Sequence, residues 1–480
     1  MMTQNVSIDS ANDECILSNS GKLKAKNILI LTRSYPPYDG GNVGHSIRMY
    51  YLCNYLAENG YNVFVFFFYN LIEDREHPPK NKKVFLLNPS FEKRRLDFNS
   101  NTDVLNFCLD IIKKNEISTI ISSSPPIDAH LIAQSLKLYL NKKILWICDL
   151  RDITSFHPNL RAKTAKQLER QKNHEISAIS YSDVITTVSI GAKNTIIDLH
   201  RSSKSSIELN DIFVVENGYI DLEEVPPQSD FENFILSSRK DDRIVLVYAG
   251  TGAITGDLSC SVAKNITLLF EVLSRVPIFR KGFSLVVQGN VKVNPQYLKS
   301  LHPELNFCLL PRTDNRQMRA NLKLCDMGVI VSTDSILAPI GMAGKLYEYI
   351  SCNLCLLQII PGNSTSRMEF AKKHQWKPFI ADAHDTHSII ETLHDILRNR
   401  TNLDIRRFTN EEIQPYHRYR QYNKIIELIK SRNKYKRSIS DGLALDNVRQ
   451  NSVINSLSQA PLKENLVNIH LNHNSLLKKF

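Results

Sequence analysis

The sequence predicts an α/β protein made of two doubly wound domains, each built on a parallel sheet. Short apolar runs alternate with amphipathic helical segments along most of the chain, which is typical of βαβ units. This alternation stops near residue 218 and starts again near residue 243. A chain of 480 residues is also long enough for two or three domains of about 100–200 residues each.

The first series of predicted strands consists of short apolar runs separated by helical patterns. These runs lie at 27–31, 62–66, 117–121, 144–148, 184–188 and 213–215. Gly60 stands between the first helical pattern and the run at 62–66, where the C-terminal cap of a helix is expected. Strands that alternate with helices in this way are expected to pair in parallel.

The second series follows a charged stretch that contains two consecutive prolines. Its runs lie at 243–249, 283–287, 307–310, 327–331 and 354–359, with helical stretches at 265–273 and 316–324. We expect a tail at 1–25, a first domain at 26–220, a linker at 221–242, a second domain at 243–414, a closing amphipathic helix within 415–436, and a polar, basic tail at 437–480. Ligands bind at the carboxyl ends of parallel strands, so we expect a cleft between the domains.

Composition and charge narrow the choice of partners and compartment. The formal net charge of +11 favours acidic partners. Five basic residues between Lys430 and Arg437 favour contact with anionic lipid headgroups, whereas nucleic-acid binding would need interleaved aromatics and only Tyr435 is present. Nine cysteines, an odd number, argue against a disulfide framework. The N-terminus lacks signal-peptide features and no apolar run reaches the roughly 20 residues of a membrane span, so we expect a cytoplasmic protein, with peripheral contact at the inner face of the membrane left open.

A glycine-containing turn separates the first predicted strand from the first helix. Gly40, Gly41 and Gly44 precede Arg48 in the helical pattern. Glycines let backbone N–H groups approach a ligand, and a helix N-terminus favours anionic groups. Donor binding by Gly41 and acceptor binding by Arg48 therefore compete with a tight turn that has no ligand.

Three charged residues close the predicted strand at 144–148. Asp149, Arg151 and Asp152 must pair with one another or face a cleft, because isolated buried charges are costly. Either aspartate would then serve as a base or bind an acceptor hydroxyl beside Arg151; the alternative is an Asp–Arg pair that fixes the loop. His130 is a further candidate acceptor contact, although a lone histidine at a helix start is more often structural.

A second glycine-containing loop follows the strand at 243–249. Gly250, Gly252 and Gly256 have the spacing G-x-G-x-x-x-G, which is similar to a dinucleotide-binding loop. No acidic residue stands at the end of a following strand to hold a ribose, so a phosphate-side loop facing the cleft fits better. Lys264 would meet a diphosphate as a point charge, unless it is an ordinary solvated lysine at a helix start.

The most informative motif is a glycine-containing loop that leads into a helix near residue 345. Gly341 and Gly344 lie in this loop, and Lys345 and Glu348 lie in the first helical turns. Free N–H groups and Lys345 suit a phosphate, and Glu348 can accept hydrogen bonds from ribose hydroxyls. The alternative is a surface helix with an ordinary Lys–Glu face.

A C-x-x-C pair lies between this helix and the next strand. Zinc would need a second pair of ligands, and none is suitably spaced. Core packing of Cys352 and Cys355 is the favoured interpretation, and no metal site is predicted.

Taken in order, these motifs resemble those of the bacterial family 4 glycosyltransferases, which have the GT-B fold. The resemblance covers roughly residues 26–431. The matching pieces are Pro36 and Pro37 with Gly40, Gly41 and Arg48, followed by the segments 124–126, 149–152, 182–189, 215–218 with Asp221, 324–330 and 345–350.

The resemblance implies two Rossmann-like domains that face each other across a cleft. The second domain would bind a nucleotide sugar, the first a glycan or lipid-linked acceptor, and the closing helix would cross back to the first domain. Transfer would retain the anomeric configuration without a metal or other cofactor, in a pathway such as surface polysaccharide biosynthesis. Lys345, Lys264 and the amides of 341–344 would stabilise the leaving diphosphate, Glu348 would hold the ribose, and Gly41 would approach the diphosphate across the cleft.

Two positions depart from the family pattern. Ile340 stands where the first glutamate of the E-x7-E motif is expected, and Thr251 and Gly252 replace the usual arginine after the first strand of the second domain. These departures leave open a different donor, or a non-catalytic protein that binds nucleotide sugars as a partner subunit. An epimerase of the same fold would need an acid/base pair in the donor half, which the sequence does not offer, and a dinucleotide-dependent dehydrogenase is favoured less.

Overall fold

The computed structural model describes most of the chain between residues 26 and 440. The described residues are 26–33, 35, 43–67, 81–87, 101–124, 127–140, 144–153, 155, 164–202, 212–250, 252–253, 266–289, 291–292, 295–332, 338–342 and 344–440. Gly41 and Lys264, the expected tail at 1–25 and most of the tail at 437–480 lie outside them.

Within the described residues, the first domain is built on a seven-stranded parallel sheet. Its strands are β1 (Asn27–Thr32), β2 (Asn62–Phe67), β3 (Val84–Leu87), β4 (Thr119–Ser123), β5 (Leu145–Asp149), β6 (Val184–Thr187) and β7 (Ile212–Val214). They lie in the order β3-β2-β1-β4-β5-β6-β7. The connecting helices are α1 (Val43–Glu58), α2 (Asn101–Lys114), α3 (Asp128–Tyr139), α4 (Ala165–Tyr181) and α5 (Ile190–Arg201).

Helices cover both faces of this sheet, which explains why its strands are continuous apolar runs. On one face, Trp146 of β5 packs with Ile132 and Leu136 of α3. On the other face, Leu52 and Leu56 of α1 pack against the sheet. All six residues of β1, at the centre of the sheet, are buried. The order of the strands reverses between β1 and β4, which places a ligand-binding crevice at their carboxyl ends.

The second domain repeats this architecture. Its strands are β8 (Ile244–Ala249), β9 (Gly252–Ala253), β10 (Phe283–Gln288), β11 (Val291–Lys292), β12 (Asn306–Leu310), β13 (Met327–Val331), β14 (Cys355–Ile360) and β15 (Phe379–Asp382). Six of the described strands form a parallel sheet in the order β12-β10-β8-β13-β14-β15, and β9 pairs with β11 separately. The helices are α6 (Ser229–Lys240), α7 (Thr267–Arg275), α8 (Pro277–Gly282), α9 (Pro295–Leu301), α10 (Asn315–Leu322), α11 (Gly344–Ser351), α12 (Thr365–Lys373), α13 (Thr386–Arg398), α14 (Asn410–Ile413) and α15 (Arg418–Ser440).

The two doubly wound sheets confirm the predicted fold class, and two details differ. Residues 221–242 were expected to form a linker, but they contain α6, whose Phe231 and Ile235 are buried against the second sheet. The strands β3 and β15 were not predicted. Both are four-residue strands at sheet edges and are incompletely covered: Phe85 of β3 is exposed, and Ile380 of β15 is half-buried.

The chain crosses between the domains twice, and the two crossings lie side by side. The backbone N–H of Tyr219 donates to the carbonyl of Tyr416 at 3.1 Å, and the N–H of Arg418 donates to the carbonyl of Tyr219 at 2.7 Å. Gly218 has φ +62, and a Cβ atom there would lie 2.4 Å from the carbonyl oxygen of Tyr416. A glycine is therefore required for this close approach.

The closing helix α15 returns to the first domain. Its residues Tyr422, Ile425 and Ile429 are buried in the cluster that includes β1 and α1. The Tyr422 hydroxyl donates to the backbone carbonyl of Arg48 at 2.9 Å, which joins α15 to α1. Across the described residues, no helix combines the length and the apolar character needed to cross a bilayer.

Candidate functional site

A cavity of about 530 Å³ lies between the two domains. It is lined by segments that follow strand carboxyl ends in both sheets, together with the start of α15. The lining residues are Ile47, Arg48, Asn217, Gly218, Arg312, Thr313, Asp314, Asn315, Met318, Gly344, Glu348 and Arg418. This is the position where open α/β sheets bind their ligands.

On the first-domain side of the cavity, Arg48 is a buried structural anchor. Its guanidinium makes two bonds to Asp149, from Nη2 to Oδ1 at 3.0 Å and from Nε to Oδ2 at 3.2 Å. It also donates to the backbone carbonyls of Val215 at 3.0 Å and Glu216 at 3.2 Å. Arg48 therefore fixes the loop after β7. Few N–H groups of its guanidinium are left for the predicted contact with an acceptor.

Asp149 lies at the end of β5 and is completely buried. Besides Arg48, it accepts hydrogen bonds from Ser123 at 2.9 Å and Thr186 at 2.8 Å. Burial by itself raises the pKa of Asp149, but the charges of Arg48 and Arg151 outweigh burial and hold this pKa below its ordinary value. A carboxylate that is buried, ionised and saturated with donors is a poor base, so the geometry favours the ion pair that fixes the loop over the predicted catalytic role.

The two charged residues that follow Asp149 along the chain differ in burial. Arg151 is buried, with Nε donating to the carbonyl of Ser124 at 2.8 Å and lying 3.8 Å from Asp149 Oδ2. Asp152 is half-buried. Of the two predicted catalytic aspartates, only Asp152 has solvent-accessible surface.

His130 is buried on α3 and has no solvent-accessible surface. Its Nδ1 lies 2.7 Å from the Ser122 hydroxyl, which also accepts a hydrogen bond from Trp146 Nε1 at 2.7 Å. Burial lowers the pKa of His130 to about 4, so the ring is neutral at neutral pH. This geometry agrees with the structural interpretation and not with the predicted acceptor contact.

On the second-domain side, the structure brings two of the predicted motifs together. Nζ of Lys345 lies 3.7 Å from the centre of the Tyr248 ring, at the end of β8. Gly250 follows β8 with φ +140, and a Cβ atom there would lie 3.2 Å from Nζ of Lys345. The glycine loop after β8 and the start of α11 thus share one corner, where Lys345 supplies a positive charge.

Glu348 faces the cavity from α11 and is held by a residue that the sequence analysis did not select. Nη1 of Arg319, on α10, lies 3.4 Å from Glu348 Oε2 and also donates to the carbonyl of Ile220. The Glu348 side chain is 19% exposed. Burial raises the pKa of Glu348, and the charges of Arg319 and Arg418 only partly offset this effect. Glu348 therefore keeps acceptor oxygens within reach of a ligand in the cavity.

The N-terminus of α11 opens onto the cavity. Gly344 is the first residue of this helix and lines the cavity, and a Cβ atom built on it would meet no atom within 4 Å. Gly341 lies in the half-buried loop just before it. An open helix N-terminus beside Lys345 suits an anionic group.

The loop that leads into α11 is bonded to the first domain. The Ser189 hydroxyl donates to the carbonyl of Ile340 at 2.7 Å, and the N–H of Gly191 donates to the Ser366 hydroxyl at 3.0 Å. That hydroxyl in turn donates to the carbonyl of Pro339 at 3.1 Å. We call these five residues the interdomain latch.

Ile340 occupies the position where the resemblance expects a glutamate. Its side chain packs against the hydrophobic core of the first domain. An apolar residue here therefore joins the two domains.

Arg319, Arg418 and the latch were missed because their signals are weak in the sequence. Arg319 lies on a polar helix, and its partner Glu348 is 29 positions away. Arg418 donates to the backbone carbonyls of Asn217 and Gly218 at 3.0 and 2.9 Å, which only the folded double crossing brings close. In the part of the chain that the structure describes, no group of three or more His, Cys, Asp or Glu side chains is arranged to hold a metal ion.

Comparison with solved structures identifies the architecture. The chain is similar to sucrose-phosphate synthase from Thermosynechococcus elongatus, with a TM-score of 0.59 and 13% identity over 85% of this chain and 100% of that chain. It is also similar to trehalose 6-phosphate synthase from Burkholderia multivorans, with a TM-score of 0.55 and 10% identity over 88% and 99% of the two chains.

A third similar structure is WaaG, a glycosyltransferase involved in lipopolysaccharide biosynthesis, with a TM-score of 0.51 and 12% identity over 84% of this chain and 99% of that chain. No family model matches the chain, and no curated protein matches it. The two facing Rossmann-like domains and the cleft between them therefore have the GT-B fold.

Proposed function

We propose that this chain is a metal-independent glycosyltransferase that moves a sugar from a nucleoside-diphosphate sugar to a glycan or lipid-linked acceptor, with retention of anomeric configuration. The observation that carries the proposal is the corner formed by Lys345, Glu348 and Gly344 on α11. Gly344 at the open start of the helix and Glu348 line the interdomain cavity, and Lys345 follows Gly344 with its Nζ buried between the Tyr248 ring and Gly250. These groups match the diphosphate and ribose of a nucleotide sugar.

In this proposal, the donor lies against the second domain. Lys345 and the amides of 341–344, with Lys264, stabilise the charge that develops on the leaving diphosphate, and Glu348 binds the ribose. Gly250 and Gly41 let the backbone approach the diphosphate from either side. A trehalose-6-phosphate enzyme from E. coli with a TM-score of 0.53 to this chain is described as bound with UDP-2-fluoro glucose, which supports this class of donor.

We place the acceptor against the first domain. Asp152 is the preferred acceptor contact there, because Asp149, Arg151 and His130 are buried. Participation in surface polysaccharide biosynthesis is supported by the likeness to WaaG, which is described as acting in lipopolysaccharide biosynthesis. The basic residues that begin at Lys430 support a cytoplasmic protein with peripheral contact at the inner face of the membrane.

A second candidate is a GT-B protein that binds nucleotide sugars without transferring them. The observation that favours it is Ile340, which packs into the first domain where the family pattern expects a sugar-binding glutamate. Both candidates bind a nucleotide, and only the first one turns it over.

The test is a thermal-shift panel of the full chain with UDP, GDP, ADP, CMP and NAD(P), compared with Glu348→Gln. Glu391→Gln is the matched control, because this glutamate also lies in the second domain but its side chain is 56% exposed on α13. We expect one nucleoside diphosphate to raise the melting temperature of the wild type and the control, and not that of Glu348→Gln. That result also identifies the base.

The corresponding nucleotide sugars are then incubated with the protein and a panel of glycan and lipid-linked acceptors, and release of the nucleoside diphosphate is followed. Release that needs Lys345 and Glu348 supports the transferase. Binding without release supports the second candidate. Stabilisation by NAD(P) alone contradicts both candidates, and an equal shift in Glu348→Gln contradicts the assignment of Glu348 to the ribose.

A further inference from the structure

A buried arginine at the start of α12 has no counter-charge among the described residues. Arg367 is only 6% exposed, and its Nε and Nη1 atoms have no hydrogen-bond partner within the described ranges. Burial lowers the pKa of Arg367 to about 10, which still leaves the guanidinium charged at neutral pH. The other buried arginines near the cleft differ, since Arg48 and Arg319 both have carboxylate partners.

Two further polar side chains with unused hydrogen-bonding atoms are buried in the same part of the second domain. Ser364 is the residue that precedes α12, and its hydroxyl neither caps the helix nor finds a partner among the described residues. Gln358, on β14, is completely buried, and both its amide oxygen and its amide nitrogen lack partners in the same ranges.

The sheet geometry places Gln358 beneath α12. Alternate residues of a strand point to opposite faces of a sheet. Leu357 and Ile359 belong to the core cluster on one face of β14, whereas Leu356 belongs to the cluster on the other face, which contains Phe370 of α12. Gln358 therefore points to the α12 face.

On the helix, Arg367 shares the buried side with Phe370 and Ala371, three and four residues further on. Arg367, Ser364 and Gln358 therefore occupy the same layer, between β14 and the start of α12.

An isolated guanidinium in such a layer is energetically unfavourable. A buried charge without a partner costs several kcal/mol, and buried polar groups in native proteins are almost always hydrogen-bonded. A serine hydroxyl, a glutamine amide and a guanidinium can all donate hydrogen bonds to one oxyanion. The N-terminal end of α12, a helix of nine residues, adds a favourable dipole for a negative charge.

The layer also lies next to the loop that leads to α11. Ser366, between Ser364 and Arg367, contacts the carbonyl of Pro339 at 3.1 Å. The cavity that contains Glu348 is lined by other residues.

We propose that Arg367, Ser364 and Gln358 form a binding site for an oxyanion, a carboxylate or phosphate group, separate from the cavity at Glu348. Arg367 supplies the charge, and Ser364 and Gln358 supply neutral donors. A sugar acid and free phosphate are the two sources of this chemistry. The site does not depend on the proposed glycosyl transfer, and it is tested without any nucleotide.

The experiment measures the melting temperature of the full chain in chloride buffer with inorganic phosphate, glucuronate or neutral glucose added at matched ionic strength. We expect a saturable rise of about 2–4 °C with phosphate or glucuronate and none with glucose. A response to glucuronate alone identifies a sugar-acid carboxylate, and a response to phosphate alone identifies a phosphate group.

Three variants test whether Arg367 is responsible. Arg367→Met should abolish the rise and, without added anion, melt no lower than the wild type, because it removes an uncompensated buried charge. Arg367→Lys keeps the charge and should retain a weaker response. Arg275→Met is the matched control, since this guanidinium is 77% exposed on α7, and it should respond like the wild type.

Three results would overturn the proposal. The first is the absence of any rise with both anions, and the second is an equal rise in Arg367→Met. The third is a large drop in the melting temperature of Arg367→Met in chloride that is non-additive with the substitution Asp334→Asn. Asp334 follows β13 in the sequence, and this coupling would identify a carboxylate of the chain itself as the partner of Arg367.

Discussion

The charged side chains on the two sides of the interdomain cavity differ in how deeply they are buried and how completely they are paired. On the first-domain side, Arg48 and Asp149 are buried and bonded to each other twice, and further bonds occupy the rest of both side chains. On the second-domain side, Glu348 is partly exposed and shares one contact of 3.4 Å with the buried Arg319. A charged residue after a strand is therefore a ligand-binding candidate only when the fold leaves some of its hydrogen-bonding atoms unpaired.

The largest effect is expected from removing the charge of Asp149. Asp149→Asn keeps the shape of the side chain but leaves Arg48 buried without its counter-ion, so the free energy of unfolding should fall by about 3–5 kcal/mol. Urea denaturation measures this loss. A loss below about 1 kcal/mol would contradict the structural role of the ion pair and return Asp149 to the catalytic candidates.

A smaller loss is expected at the interdomain latch. In Gly191→Ala, the new Cβ atom would lie 1.7 Å from the carbonyl oxygen of Pro339, so the loop must move away from α5. We expect a loss of about 1–3 kcal/mol in the free energy of unfolding and a larger radius of gyration in small-angle scattering.

Gly344→Ala is the control for this variant, because no atom lies within 4 Å of its added Cβ. Its radius of gyration should be that of the wild type. An unchanged radius in Gly191→Ala would show that the latch does not hold the domains together.

The smallest effect on stability is expected at Glu348. Because burial raises the pKa of Glu348, folding does not stabilise its charged form, so Glu348→Gln should change the free energy of unfolding by less than about 1 kcal/mol. Urea denaturation beside Asp149→Asn gives the comparison directly. A loss as large as that of Asp149→Asn would make Glu348 a structural residue as well.

The contributions of Asp149 and Glu348 to stability should change in opposite directions as the pH rises. The pKa of Asp149 is lowered in the folded protein, so its contribution to stability is complete above the unfolded value of about 3.9 and is lost as the pH falls through the folded pKa. The pKa of Glu348 is raised, so its contribution is complete below about 4.3 and is lost as the pH rises through the folded pKa. Glu348→Gln should therefore gain stability relative to the wild type as the pH rises above about 4.3, and a constant difference would contradict the raised pKa.

The sequence was sufficient for the central strands and for one edge of each sheet, β7 and β12, but not for the opposite edges. The runs predicted at 27–31 and 327–331 correspond to β1 and β13, because a strand covered on both faces must be apolar throughout. The two unpredicted edge strands, β3 and β15, have only four residues each and are incompletely buried, so their apolar runs are short.

The candidate site was predictable on one side only. Lys345 and Glu348 lie on one helix, so their spacing alone places them together. By contrast, Arg48 reaches Asp149 across 101 positions, and nothing local shows that the two side chains satisfy each other. The same limit applies to Ile340, whose burial against the first domain depends on how the domains dock.

The double crossing has a consequence for how the cleft admits its ligands. The backbone hydrogen bonds between Tyr219 and the segment 416–418 join the two crossings into one short hinge. The latch around Ser189 and Ile340 is a separate set of contacts between the domains. We expect the domains to rotate about this hinge, so that the cleft opens at the latch. Ligands would then enter and leave on the latch side while the crossings stay fixed, and spin labels on α5 and α12 should move apart when Gly191→Ala breaks the latch.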